Sequence, residues 1–71
     1  MNITENTARV MADIEQRMAF AGDDEKRALR CLKTAIEGLS YILANMHPCS
    51  SSTAWAFESL TTICDQWDAS R

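Results

Sequence analysis

Apolar residues recur along this chain at alternating intervals of three and four, the spacing that gathers side chains on one face of an α-helix. Three such runs appear. In the first, Met11, Ile14, Met18 and Ala21 share a face that Val10 widens, which predicts a helix over about 5–21. Thr4 is placed to cap its start with a hydroxyl, and Gly22 to end it in a left-handed turn. In the second, Leu29, Leu32, Ile36, Leu39, Leu43 and Met46 continue without a break, flanked by Ala28, Ala35 and Ile42. This predicts a helix over about 24–46, roughly 34 Å long, capped by Asp23 or Asp24 and stopped by Pro48. In the third, Phe57, Leu60, Cys64 and Trp67 are joined by Ala56 and Ile63, predicting a helix over about 53–68 capped by Ser51 or Ser52. On the polar side, Glu5–Arg9 and Asp13–Arg17 stand four apart as surface ion pairs.

Links of two or three residues and then about five favour antiparallel neighbours. The expected fold is all-α: a small antiparallel three-helix bundle forming one domain over residues 1–71, self-associating through the long central helix. A helical hairpin whose third helix completes a dimer is the variant of that reading.

Composition agrees. With 46% hydrophobic residues the chain is no disordered tail, and two glycines and one proline leave too few turn formers for an all-β domain. At 71 residues a single core is small, and chains of this size often gain stability by self-association, disulfides or metal. The net charge of −3 argues against DNA as a partner, since phosphate contacts need a positive footprint. No apolar run approaches the roughly 20 residues of a membrane span. The first dozen residues carry Glu5 and Arg9 and lack the apolar core of a signal peptide. Cys31, Cys49 and Cys64 form no close pair, so a cytoplasmic protein with reduced thiols is expected.

One stretch looks like chemistry: NMHPCSSST, residues 45–53, with the only histidine and the only proline. As a zinc site it would draw on His47, Cys49, Cys31 and Cys64. Zinc ligands come in close pairs, whereas Cys31 and Cys49 lie at opposite ends of the long helix, roughly two dozen ångströms apart. As a cysteine–histidine pair it lacks a cleft and a third orienting group. A connector accounts for it better, with Pro48 stopping one helix and the serines starting the next. Cys64 falls on the apolar stripe as a small core residue, and Cys31 falls off it. No metal, cofactor or catalytic residue is expected.

Lys26, Arg30 and Lys33, with Arg27 nearby, form a basic flank on the long helix able to meet an anion. A solvated face balanced by Asp23, Asp24, Glu25 and Glu37 is the commoner meaning of such mixed charge. More informative is where charge stops. From Gly38 to Phe57 no residue is charged at neutral pH, with His47 taken as neutral. Thr34, Gly38, Tyr41 and Asn45 lie opposite the core stripe of the second helix, and Trp55 and Phe20 fall off the stripes of the third and first. Glycine inside a helix costs about 1 kcal/mol relative to alanine, so a close helix contact at Gly38 is its reasonable motive. Either the chain itself or a copy of it covers this side, or Tyr41 and Trp55 anchor a foreign partner.

In size and style the chain resembles short helical proteins of bacteria and their phages, with no family motif attached. The expected function is a non-enzymatic protein-interaction module, a small adaptor, regulator or inhibitor, binding through Gly38, Tyr41 and Trp55. A homodimer or higher homo-oligomer is the expected partner state, with a heterologous protein as the other. The alternative is a binder of small, nucleotide-like anions at Lys26, Arg30 and Lys33, in a pocket formed between chains.

Overall fold

A computed structural model describes residues 3–45, 47 and 50–70. It contains three helices, α1 Ile3–Met18, α2 Asp23–Asn45 and α3 Ser51–Ala69. Each packs against the other two. Glu15 of α1 pairs with Lys33 of α2, while Thr4 and Thr7 lie beside Leu43, so α1 and α2 run antiparallel. Leu32 lies beside Ile63 and Trp67, and Leu43 beside Leu60, so α3 returns antiparallel to α2. The expected antiparallel bundle is the observed architecture.

The helix ends differ from expectation, each for a local reason. Thr4 lies inside α1 rather than capping it. At its far end α1 tightens: Phe20 N–H donates to Arg17 and Ala21 N–H to Met18, at 3.1 and 3.3 Å. These three-residue turns use up the terminal carbonyls, and Gly22 adopts no left-handed conformation. Its carbonyl instead accepts the first bond of α2, from Lys26 N–H at 2.8 Å. Gly22 therefore caps α2 at its start, and Asp23 and Asp24 stand in the first turn, where their charge favours the helix dipole.

The cap of α3 is Ser50, not Ser51 or Ser52. Its backbone is extended and its Oγ accepts from Thr53 N–H at 3.1 Å. Thr53 Oγ1 donates to the His47 carbonyl at 2.8 Å, which leaves the Ser50 hydroxyl to donate to Thr53 Oγ1 at 2.9 Å. The described part of the NMHPCSSST stretch thus works as a helix start. Met46, Pro48 and Cys49, invoked for the core stripe, the stop signal and the metal site, lie outside the described residues.

The core comprises Val10 and Ile14 of α1, Leu29, Ile36 and Leu39 of α2, and Ala56, Leu60, Cys64 and Trp67 of α3. On α2 the expected stripe holds. On α1 it is turned: the buried line is Thr7–Val10–Ile14, and Met11, Met18 and Ala21 are half-buried at its flank. Thr7 is tolerated inside because its hydroxyl donates to the Ile3 carbonyl at 2.7 Å, satisfying its polar group locally. On α3, Phe57 leaves the core and remains 51% exposed, while Ala56 is fully buried. Leu60, Cys64 and Trp67 share an arc with position 56, which a small side chain fills as the helices approach. Position 57 stands about 20° beyond Cys64, at the outer edge of that arc.

Candidate interaction surface

Two kinds of surface result from this packing, a charged clasp over α1 and an uncharged face across α2 and α3. Arg9, Asp13 and Arg17 stand four residues apart along α1 and close onto the end of α3. Arg9 makes a two-pronged ion pair with Asp68, at 2.8 and 2.9 Å, instead of turning to Glu5. Asp13 accepts from the Trp67 indole N–H at 3.3 Å, and the Arg17 guanidinium lies 4.6 Å over the Trp67 ring. Asp68 raises the Arg9 pKa first through the hydrogen bond, with desolvation acting against it. The sequence signal for this clasp was the alternating charge at positions 9, 13 and 17. Read one helix at a time, it predicts pairs within α1. Only the approach of α3 supplies Trp67 and Asp68.

The basic flank is partly engaged. Lys33 pairs with Glu15 at 3.1 Å, Lys26 is half-buried and Arg30 is exposed. The three residues remain on one side of α2, with one of the charges already answered from α1.

Opposite the core, Thr34, Gly38, Tyr41 and Asn45 are all exposed. The chain does not cover this side of α2 itself, which removes one of the two structural explanations of its missing charge. A Cβ built on Gly38 meets nothing within 4 Å, so no contact within the chain explains the glycine. Thr34 donates its hydroxyl back to the Arg30 carbonyl at 3.0 Å, and Asn45 its amide to the Tyr41 carbonyl at 2.9 Å. Two polar side chains of the face are thereby satisfied on the helix's own backbone.

The extent of the face follows from helix phase. Ser40 and Ala44 line a cleft with α1, so the opposite flank of α2, carrying Cys31, Gly38 and Ile42, turns away from α1. On α3, Ile63 lines one shallow depression with Trp55, Glu58, Ser59 and Thr62, and another with Leu32 of α2. Trp55 therefore belongs to the flank of α3 beside α2. Gly38 and Trp55 share the outer side of the α2–α3 pair, and Tyr41 stands at its rim. Tyr41 is 68% exposed and Trp55 57%. Between the levels of Cys31 and Asn45 the charge stands at the edges of this side, Glu37 one turn before Tyr41 on α2 and Glu58 on α3. Phe20, 92% exposed, lies elsewhere, in the turn between α1 and α2.

Among the described residues, no group of histidine, cysteine and carboxylate side chains is placed to hold a metal ion. No helix among them is long and apolar enough to cross a membrane. Cys31 is exposed and Cys64 buried. Burial pushes the Cys64 thiol above its ordinary value, outweighing the Thr7 hydroxyl and Arg9, which lower it. A raised thiol value favours the protonated folded state. Its contribution to stability is whole below the unfolded value of about 8.5 and is lost as pH rises beyond it. We expect an alkylating reagent to modify Cys31 rapidly at neutral pH and Cys64 only as fast as the chain opens. Peptide mass spectrometry over time reads both, and equal rates at the two sites would contradict the packing of α3.

No family model, no curated protein and no solved structure matches this chain.

Proposed function

We propose that the protein is a non-enzymatic interaction module that acts by occupying the surface of another protein chain, as a small adaptor, regulator or inhibitor does. One observation carries the reading: the outer side of α2 and α3 is free of charge over most of its length and presents Tyr41 and Trp55 to solvent. Soluble chains usually cover contiguous apolar surface, and tyrosine and tryptophan are enriched among the anchors of interfaces. A charge placed there resists burial, because desolvating it without a partner is costly.

The experiment is capture by the tagged protein in native lysate, comparing wild type with Tyr41→Glu, Trp55→Glu and Phe20→Glu. Helicity is checked for each by circular dichroism. Chains retained by wild type and by Phe20→Glu should be lost from the two face variants. Retention by all three variants would overturn the assignment of the face. The anion-binding alternative is weakened by the pairing of Lys33 with Glu15. A nucleotide that raises Tm in wild type but not in a variant with Lys26, Arg30 and Lys33 neutralised would restore it.

A further inference from the structure

We infer that the end of the bundle where α1 stops, α2 starts and α3 finishes is a binding site for a guanidinium group, occupied in the resting chain by its own Arg17. The site lies apart from the uncharged face and does not depend on the interaction-module reading.

Asp13, Arg17, Phe20, Glu25 and Trp67 line an open cavity of about 390 Å³ at this end. Three features fix the class of ligand. The first is the occupant already present. The Arg17 guanidinium lies 4.6 Å over the Trp67 ring, so this ring face holds a planar cation within the range of cation–π attraction. The second is charge. Asp13 and Glu25 line the cavity against the single guanidinium of Arg17, which leaves negative charge in excess. The last turns of α1 and α3 end here with the negative ends of their dipoles, and α3 has no basic residue in its own last turn. The positive end of α2 is met by Asp23, Asp24 and Glu25. The third is Phe20. Its ring lines the cavity, yet it is the most exposed large apolar side chain among the described residues. It stands at the mouth as a second aromatic surface, on which a guanidinium, more weakly hydrated than an ammonium, stacks well. A guanidinium from outside takes the place of Arg17 over Trp67, with its N–H groups directed to Asp13 and Glu25, and Arg17 turns out to water. The exchange is easy, since an exposed cation–π contact favours Arg17 by a factor of about two to five.

Titration with agmatine, followed by the indole N–H signals in proton–nitrogen NMR, tests this. The chain has two tryptophans, so Trp67, whose indole N–H reaches Asp13, is the reporter and Trp55 the internal control. In wild type the Trp67 signal should move with a Kd of about 1–10 mM, the range for a probe this small, while the Trp55 signal stays. Arg17→Gln, which vacates the ring, should bind about two- to fivefold tighter. Adding Glu25→Gln or Phe20→Ala to that variant should weaken binding by about two- to fivefold. Putrescine, which offers ammonium groups alone, should bind more weakly than agmatine. An arginine capped at both ends separates the sources of the group. Movement of the Trp67 signal with it as well assigns the site to a side chain of another protein, and movement with agmatine alone assigns it to a free small molecule. Signal dispersion in the same spectra shows whether each variant is folded, and the wild-type titration stands whatever the variants do. A Trp67 signal that stays in place up to about 50 mM agmatine in wild type overturns the inference. So does an equal movement produced by sodium chloride at matched ionic strength, or weaker binding by folded Arg17→Gln than by wild type.

Discussion

Trp67→Ala should remove most of the folding stability of this protein, about 3–5 kcal/mol, the range for truncating a buried tryptophan. The chain's total, at roughly 0.05–0.15 kcal/mol per residue, is of similar size, about 4–10 kcal/mol. Trp67 is 8% exposed at the end of α3, where it closes the core above Leu32 and Ile63. The same side chain holds α3 to α1 through its indole N–H on Asp13 and its ring under Arg17. Alanine takes away both the apolar burial and the anchor of the clasp. Trp67→Phe separates the two: it keeps most of the burial, loses the hydrogen bond, and should cost about 1–2 kcal/mol. Urea denaturation followed by circular dichroism provides the measurement. It should be made at low micromolar concentration, so that association does not add to the apparent stability. A loss under about 1 kcal/mol for Trp67→Ala, the range of ordinary surface changes, would show that the end of α3 does not pack as described.

The second large effect is expected at Ile36. This residue is 1% exposed near the middle of α2, in one core cluster with residues of α1 and α3. Ile36→Ala should cost about 2–5 kcal/mol, from lost burial and from a cavity that three helices cannot close without shifting. Six residues further on, Ile42 is half-buried on the flank that turns away from α1. Ile42→Ala should cost about 1 kcal/mol in the monomer, in proportion to the smaller area withdrawn from water. The contrast tests the rotation of α2 about its own axis. Equal losses at the two sites would mean that the helix presents a different side to the core, and the uncharged face would then be misplaced with it.

The sequence alone determined the number of helices, their order and their antiparallel course. These depend on local chemistry. The three-and-four spacing from Leu29 to Leu43 dictates a face whatever surrounds it, and links this short leave little choice of neighbour. The missing charge between Gly38 and Phe57 was equally legible, because formal charge is a property of composition and needs no fold to be counted. Cap positions were nearly legible. Ser50 does at the start of α3 what a serine was expected to do one or two residues later, since several serines in a row offer the same hydroxyl. The three-residue turns after Met18 decided between Gly22 as the end of one helix and as the start of the next.

Tertiary structure decided which part of each apolar arc lies deepest, and what the charges beside it meet. Phe57 and Ala56 are adjacent and both apolar. Only the proximity of the neighbouring helices selects the smaller one for the closest approach and turns the larger one outward. Thr7 enters the core for the same reason, once its hydroxyl is satisfied by Ile3. Arg9 and Asp13 had partners on their own helix in the sequence. They meet Asp68 and Trp67 because α3, distant along the chain, lies within reach in space. Periodicity specifies a direction along one helix to within a residue or so. The distance between helices, and therefore which side chains fit and which charges meet, depends on all three at once.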